Sequence, residues 1–331
     1  MSSAEENYKK LNDDEVLDKT LRPHNWEEYV GQDLIKENVK ILIQAATERG
    51  HTPEHILFYG PPGLGKTTLA HVIAKETGRN IKITSGAALL KVGDLAAILT
   101  NLSEGDIFFI DEIHRLNKQI EEVLYPAMEA GSLDIVIGKG ASARTIQLEL
   151  PSFTLIAATT RVALLSSPLR SRFSGGVFRL DFYTNQEIKK ILNRSSQLLG
   201  VEIKNEEIEE IAKRSRFTPR IANHLLKRVR DFAQVKKTKM DKGTIDDAMR
   251  LLGIDNRGLG KTEREFLKTL QNKFNGGPVG LKTLSASLQE EDETLEDVVE
   301  PYLMQIGFIE RTPRGRTITA SGKKYLEDEN I

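Results

Sequence analysis

The chain has 331 residues, of which 39% are hydrophobic, so it is long enough for two or three domains with packed cores. The net charge is −1 and there is no cysteine, which leaves no global argument for nucleic acid and excludes disulfides and thiolate metal sites. Residues 1–6 lack the features of a signal peptide and no apolar run approaches the roughly 18 residues of a membrane span, so we expect a cytoplasmic protein without membrane contact.

The first motif in chain order is a phosphate-binding loop. Residues 60–67 read Gly-Pro-Pro-Gly-Leu-Gly-Lys-Thr, which matches GxxxxGK[ST], and they follow the short apolar run 56–59. The glycines let successive N–H groups converge on phosphates, Lys66 reaches the β and γ phosphates, and the Thr67 hydroxyl coordinates Mg²⁺. The helix predicted over 67–77 adds its dipole to the site. The pattern predicts an NTPase.

An acidic motif follows a second predicted strand. The apolar run 107–110 is too short for a helix, and Asp111 and Glu112 come directly after it, which is the Walker B arrangement. We assign Asp111 to the Mg²⁺ shell and Glu112 to polarising the attacking water. His114 has no evident metal partner, so a packing or hydrogen-bonding role is expected.

Two more β patterns precede the helical part of the chain. Alternating apolar residues over 133–150, on either side of a turn at 138–140, predict a hairpin. Its apolar face either packs in the core or binds a partner, and the sequence leaves both open. The run 153–158 predicts a third strand that ends in Thr159-Thr160-Arg161. Because ligands of open α/β sheets bind at the carboxyl ends of the strands, polar groups at three such ends are predicted to meet at one nucleotide.

A small all-helical unit is predicted over 185–249. Basic residues are concentrated over 213–242, whereas 202–210 and 290–300 are acid-rich. The basic block is either a DNA surface or the solvated face of helices whose apolar residues recur at helical spacing.

The residues from 255 onward have the order of a winged helix. Helices are predicted over 263–274 and 281–288, and a third helix is predicted to open at Thr294, because Asp297 lies three residues on, at capping-box spacing. Segment 308–319 then predicts a strand, a turn and a strand.

The predicted hairpin at 308–319 carries three arginines. In winged-helix modules one helix enters the major groove and the hairpin contacts the DNA backbone, so Arg311, Arg314 and Arg316 are predicted phosphate contacts. The alternative is an exposed hairpin with solubilising arginines.

Eight short strings along the chain match one family pattern. They are residues 21–23, 29–32, 60–68, 111–115, 158–161, 167–173, 218–223 and 311–316. Together they resemble the RuvB family of AAA+ ATPases, the bacterial motors of Holliday-junction branch migration. The resemblance runs from about Leu21 to Leu326, and its most specific strings are Thr-Pro-Arg-Ile-Ala-Asn at 218–223 and Arg-Thr-Pro-Arg-Gly-Arg at 311–316.

The resemblance implies the fold class and three domains. These are a P-loop α/β AAA+ domain at 1–183, a helical lid at 184–254 and a C-terminal winged helix at 255–331. It also implies ATP and Mg²⁺ as cofactors. The implied cofactor-binding residues are Leu21, Arg22, Tyr29, Gly63, Gly65, Lys66, Thr67, Thr68, Glu129, Tyr183 and Arg220.

Further roles follow from the same resemblance. Thr160 is implied as the sensor of the γ phosphate, and Arg220 as a second sensor that transmits hydrolysis as a hinge motion of the lid. Arg172 is implied as an arginine finger that completes the ATP site of a neighbouring subunit, near which Glu129 can also approach the nucleotide. A finger supplied in trans requires a ring, which in the family is a hexamer around duplex DNA.

The implied function is an ATP-driven double-stranded DNA translocase that drives branch migration of Holliday junctions in recombination and repair. Its partners are the four-way junction and a RuvA-type protein, bound through hairpin 133–150. The alternative is a clamp-loader-like or replication-associated AAA+ ATPase, against which the arginine-rich winged helix argues. A DExH helicase would need an arginine motif that is missing, and a non-enzymatic winged-helix regulator would not need Lys66 or Glu112.

The sequence departs from the family pattern at four places. Ser174-Gly175-Gly176 adds a residue after the finger loop, and Phe217 stands where glycine is usual, which bears on the pose of Arg220. Gly131 replaces a larger residue. The acidic run 290–292 stands where some members have a DNA-contacting arginine, so DNA affinity is expected to depend more on the wing.

Overall fold

A five-stranded parallel sheet organises the first half of the chain, in the strand order β2-β3-β6-β1-β7. The computed structural model describes residues 20–137 and 144–328, so the predicted turn at 138–140 lies outside the described residues. Apolar runs form the inner strands because both faces of the sheet are covered; Leu57, Phe58 and Phe108 are fully buried. The strands are β1 Ile56–Tyr59, β2 Ile81–Ser85, β3 Ile107–Asp111, β4 Ser132–Ile137, β5 Arg144–Glu149, β6 Thr154–Thr159 and β7 Gly176–Arg179.

Helices cover the two faces of this sheet. Val39 and Ile73 pack on one face and Leu95 and Leu124 on the other, in two separate clusters of buried side chains. The helices are α1 Asp33–Glu48, α2 Lys66–Glu76, α3 Val92–Leu99, α4 Lys118–Glu129 and α5 Ser167–Ser171. The predicted P-loop α/β class is confirmed, and the strands predicted at 56–59, 107–110 and 153–158 are each present within one or two residues.

The predicted all-helical unit is also present. Thr184 caps its first helix, with Glu187 completing a capping box. Leu225 and Val229 join the cluster that contains Val39 and Ile73, so the core of this unit is continuous with one face of the sheet. The helices are α6 Asn185–Leu198, α7 Asn205–Lys213, α8 Pro219–Lys236 and α9 Lys242–Leu251.

The basic block at 213–242 is not one continuous surface. Arg214 is buried and forms ion pairs with Glu210 and Asp246. Arg216 forms an ion pair with Glu263 at 2.5 Å. The lysines at 236, 237, 239 and 242 are exposed around the end of α8. Two of the basic residues therefore have structural roles, and exposed lysines are concentrated at one end of the block.

The C-terminal part has a fourth helix that the sequence did not reveal, after the predicted hairpin. Its helix α10 is Lys261–Asn272, α11 is Leu281–Leu288, and α12 consists of the consecutive segments Asp292–Thr294, Leu295–Val299 and Glu300–Gln305, the middle one π-helical. Strands β8 Ile309–Thr312 and β9 Gly315–Ile318 form the wing, and α13 is Ala320–Asp328.

The predicted start of the third helix at Thr294 is wrong. The helix begins at Asp292 with Glu291 as its N-cap residue, and Thr294 has helical backbone angles. The Thr-x-x-Asp spacing misled because it also occurs inside a helix, where the side chains at i and i+3 share a face. The Asp297 carboxylate accepts hydrogen bonds from Arg161 instead of capping the helix.

The burial of apolar side chains changes along the hairpin of β4 and β5. Leu133, paired with Leu148, is buried in the cluster that contains Leu95 and Leu124, whereas Ile146 is 45% exposed. The base of the hairpin therefore packs in the core, while an apolar side chain farther along it faces solvent.

Residues 174–176, where the resemblance predicts an extra residue, form the turn between α5 and β7. The Gly175 N–H donates to the His55 carbonyl at 2.9 Å, and a Cβ at Gly175 would lie 2.8 Å from that oxygen. Gly176 has a φ of +126° and starts β7. This close approach requires a residue without a side chain, so the two glycines allow the turn to lead directly into β7.

Phe217 adopts a left-handed backbone conformation, which is the conformation that favours glycine. Its φ is +56°, in the left-handed region, and its ring centroid lies 6.2 Å from that of Tyr302 in the C-terminal part. Gly131 likewise has a positive φ, +59°, just after α4. Within 20–137 and 144–328, no helix is long and apolar enough to cross a bilayer.

Candidate active site

The loop between β1 and α2 is held tightly against two other parts of the chain. Gly63 and Gly65 have φ values of +80° and +95°, which favour glycine. A Cβ at Gly65 would lie 2.9 Å from the Tyr29 hydroxyl, and one at Gly63 would lie 3.2 Å from the Arg220 side chain. The loop therefore packs tightly between the segment before α1 and the start of α8.

Lys66 points back into this loop. Its Nζ donates to the carbonyl oxygens of Gly60 and Pro61 at 2.8 and 2.9 Å. Burial lowers the pKa of Lys66 to about 8, although the nearby Glu112 and Asp111 carboxylates act in the opposite direction. A negatively charged phosphate in the loop would favour the protonated ammonium and raise this pKa again.

Hard oxygen donors meet beside the lysine. The Thr67 hydroxyl donates to Asp111 Oδ2 at 2.9 Å, across the gap between α2 and the end of β3. Mg²⁺ is usually bound by one or two protein oxygens together with substrate phosphates and water, so this pair fits the ion.

Glu112 is held by the ends of two strands. Its backbone has a φ of +47°, and its Oε2 lies 3.1 Å from His114 Nδ1 and accepts from the Thr160 hydroxyl at 3.3 Å. His114 Nδ1 also lies 2.8 Å from the Thr159 hydroxyl, and burial lowers the His114 pKa. His114 is thus hydrogen-bonded, as expected, but its neighbour is the proposed catalytic carboxylate, which the sequence reasoning missed. Its position two residues after Glu112 was the available signal.

A cavity of about 310 Å³ lies between the sheet and the first helical unit. It is lined by all but one of the predicted cofactor-binding residues, and Asp111 and Glu112 also line it. The Tyr183 hydroxyl donates to the Leu64 carbonyl at 3.1 Å, and burial raises the Tyr183 pKa to about 12. The lining residues predicted from the sequence are Leu21, Arg22, Tyr29, Gly63, Gly65, Lys66, Thr67, Thr68, Tyr183 and Arg220.

Several lining residues were not predicted. Arg194 and Asn223, on α6 and α8, line the cavity, and Arg194 donates to the Leu21 carbonyl at 2.8 Å and forms an ion pair with Glu28. No sequence motif marks Arg194, which reaches the cavity through the packing of α6 on the segment before α1, whereas Asn223 ends the string 218–223 but was given no role.

The remaining predicted residue of this group, Glu129, lies beside Arg172 and away from the cavity lining. Arg172 Nη2 is 3.0 Å from Glu129 Oε2, and the guanidinium lies 4.3 Å from the centre of the Tyr125 ring. Neither Glu129 nor Arg172 lines the cavity of its own chain, and Thr160 contacts it through Glu112.

The wing arginines differ from one another. Arg311 and Arg316 form ion pairs with Glu300 at 2.5 and 2.7 Å, and Glu300 is fully buried. Arg311 also lies 3.2 Å from Glu296. Arg314, in the turn, is exposed.

The fold and the site define a P-loop ATPase of the AAA+ class with a lid and a winged helix. Three family models match: "Holliday junction DNA helicase RuvB P-loop domain" at 21–180, "RuvB AAA lid domain" at 183–255 and "RuvB C-terminal winged helix domain" at 256–327. The chain belongs to the RuvB family.

Individual relatives agree with these matches. The Holliday junction branch migration complex subunit RuvB of Dehalococcoides mccartyi is 54% identical over 319 residues, which is 96% of this chain and 91% of the relative. The Thermotoga maritima RuvB Holliday junction branch migration motor is 49% identical with a TM-score of 0.85, over 93% of this chain and 98% of that one. A single-residue variant of the Thermotoga protein gives a TM-score of 0.86 at the same identity and coverage.

We expect ATP binding to take up protons near pH 8.5, because the Lys66 pKa is about 8 without nucleotide and phosphate charge raises it. The bound form then holds more protons, so affinity should fall as pH rises above 8, by up to about tenfold per unit. Calorimetry in two buffers of different ionisation enthalpy measures the uptake. Lys66→Arg stays charged and should show no uptake; equal heats for the unmodified protein in both buffers would contradict the prediction.

Proposed function

We propose that this chain is an ATP-driven motor that translocates double-stranded DNA and drives branch migration of Holliday junctions in recombination and repair. The observation that carries the proposal is the combination, along one chain, of a complete P-loop site with the RuvB lid and winged helix. The D. mccartyi relative is a branch migration complex subunit. The winged helix favours this function over the clamp-loader alternative.

In the proposed chemistry, loop N–H groups and Lys66 bind the β and γ phosphates, and Thr67 and Asp111 hold Mg²⁺. The ion supplies charge neutralisation at the phosphates. Glu112 orients and polarises the attacking water, and its contacts with His114 and Thr160 fix its carboxylate at the strand ends. Thr160 senses the γ phosphate, and Arg220 brings the lid to the same phosphates.

The division of labour along the chain is part of the proposal. Residues 1–183 form the large ATPase domain, 184–254 the lid and 255–331 the DNA-binding head. Leu21, Arg22 and Tyr29 line the adenine side, and Tyr183, at the junction of the first two domains, closes it. This placement of the adenine side is supported by the residues that line the cavity and by the hydrogen bond from Tyr183 to the phosphate loop.

A homo-oligomeric ring, a hexamer around duplex DNA, follows from the position of the finger. Arg172 and Glu129 lie together outside the cavity lining of their own chain, so their contact with a nucleotide requires a neighbouring subunit. Release of Arg172 from Glu129 would make its guanidinium available to the adjacent γ phosphate.

We also propose that the hairpin 133–150 binds a RuvA-type partner. Its base is anchored in the core through Leu133, so the strands are positioned firmly. The exposed Ile146 offers an apolar contact to that partner.

The test of the function is a labelled four-way junction with homologous arms, supplied with a RuvA-type protein, Mg²⁺ and ATP. We expect conversion into two duplexes that requires hydrolysis. Glu112→Gln should retain nucleotide binding but lose turnover by about 10²-fold or more, whereas Lys66→Ala should lose binding. DNA-stimulated ATP hydrolysis with a stationary junction would contradict the proposal, and equal loss of ATP affinity in the two variants would contradict the assigned roles.

The trans finger predicts complementation between inactive variants. Arg172→Ala has an intact pocket and Lys66→Ala an intact finger, so mixed rings at equal ratio should regain activity at up to about a quarter of their sites. Steady-state ATPase rates across mixing ratios measure this. The matched control is a mixture of Lys66→Ala with Glu112→Gln, in which every pocket is defective and no recovery is expected. If mixed rings form but the Arg172→Ala mixture stays inactive, Arg172 is not a finger in trans.

The wing predicts different effects for its three arginines. If Arg314 contacts a phosphate, Arg314→Ala should flatten the slope of log affinity against log salt by about 0.9, with similar losses for unrelated duplexes. Arg314→Lys is the matched control and should keep the slope. Arg311→Ala and Arg316→Ala also remove a partner of buried Glu300, so they should in addition lower the melting temperature of the head.

An unchanged slope for Arg314→Ala, with normal junction movement, would mean that this arginine is only solubilising. The DNA path would then be sought among the exposed lysines at the end of α8.

A further inference from the structure

An ion pair joins the ATPase domain to the DNA-binding head directly beside the proposed sensor. Arg161, which follows Thr160 at the end of β6, donates from Nε to both carboxylate oxygens of Asp297 at 3.0 and 2.8 Å. Its Nη2 also lies 2.8 Å from Asp297 Oδ2, and its Nη1 lies 3.3 Å from Glu293 Oε1. The Arg161 side chain is only 19% exposed. A charge pair with a hydrogen bond to both carboxylate oxygens and this degree of shielding is stronger and more directional than a typical surface pair.

The ATPase end of this contact is tied to the catalytic groups. The Arg161 N–H donates to the Thr159 hydroxyl at 3.0 Å, which in turn meets His114, and the adjoining Thr160 hydroxyl donates to Glu112. A γ phosphate competes with Glu112 for that hydroxyl. Because Arg161 directly follows Thr160, a displacement of the end of β6 by this competition would reach Arg161 through a single peptide bond.

The head end of the contact is tied to the wing. Asp297 lies in the π-helical segment of α12, and Glu300, three residues on, is the buried partner of Arg311 and Arg316. Glu296, beside Asp297, also contacts Arg311. One helix therefore contacts Arg161 through Asp297 and Glu293, and contacts the DNA-binding hairpin through Glu296 and Glu300. Short π-helical segments within helices occur frequently at functional sites.

We propose that Arg161 is a positioning residue that couples the nucleotide state to the placement of the head. In the nucleotide-free protein the pair with Asp297 fixes α12 against β6, and occupation of the γ-phosphate position loosens the pair and releases the head. The inference rests on the proposed function, in which the head is the DNA-binding domain of an ATPase.

The absence of cysteine allows a direct measurement, because introduced cysteines carry the only labels. Lys82→Cys on β2 and Lys324→Cys on α13 are exposed sites in the ATPase domain and the head. Spin labels at both sites report the distance between the domains, and an excess of unlabelled protein keeps labelled subunits apart in a ring.

We expect a narrow distance distribution without nucleotide and a shifted or broader one with a slowly hydrolysed ATP analogue. Arg161→Ala and Asp297→Asn should give the broad distribution already without nucleotide and respond little to the analogue. The exchanged pair, Arg161→Asp with Asp297→Arg, should restore part of the narrow distribution. No such recovery is expected if the single variants broaden the distribution only by destabilising the fold. Arg250→Ala, which removes an ion pair with Asp247 within the lid, is the matched control and should behave like the unmodified protein.

A second readout is the factor by which the analogue changes duplex affinity. It should be about fivefold or more in the unmodified protein and approach one in Arg161→Ala. The inference is overturned if Arg161→Ala keeps both the unmodified distance distribution and its response to nucleotide, or if the unmodified protein shows no response. Failure of the proposed function is a separate result, in which the distances respond to nucleotide as expected but no duplex is bound and no junction moves.

Discussion

Parallel pairing of β1, β3 and β6 is the constraint on which the chemistry depends. The register sets Tyr59 beside Thr159 and Ile110 beside Ala157, so the three strands end at one edge of the sheet. The Gly60 N–H donates to the Thr159 carbonyl at 3.2 Å, which ties the start of the phosphate loop to the sensor strand. The backbone that carries the Walker B carboxylates, the loop and Thr160 is therefore positioned by hydrogen bonds between strands, and the site is preorganised before nucleotide arrives.

The lid completes this site without belonging to the sheet. The Tyr183 N–H donates to the Phe217 carbonyl at 3.0 Å, so the residue that closes the cavity and the loop before Arg220 move together. From the same loop, Arg216 reaches Glu263 in the head. Closure of the lid on nucleotide would thus reach the head through this loop, in addition to the route proposed for Arg161.

Local signals predicted most of the fold and the centre of the site. The strands, the phosphate loop and the wing each depend on residues close in sequence, and short motifs with a defined backbone role identify them. The ion pair of Arg161 with Asp297 joins residues 136 apart, and neither the motif Thr159-Thr160-Arg161 nor the spacing of Thr294 and Asp297 indicated it. The same holds for Glu300, which looked like one member of an acidic run but is the buried anchor of two wing arginines. Such contacts depend on how helices, hairpins and domains pack in three dimensions, so no local pattern encodes them.

Phe217 gives the lid and the head a stiff connection. A non-glycine residue in the left-handed region costs about 1–2 kcal/mol, and the packing of its ring near Tyr302 opposes any separation of the two domains. A glycine at the same position would bend freely, whereas here bending would expose the ring without relieving the backbone strain. A motion of the lid would consequently carry the head with it as a single lever. A lever of this kind delivers a longer stroke for the same angular change at the nucleotide.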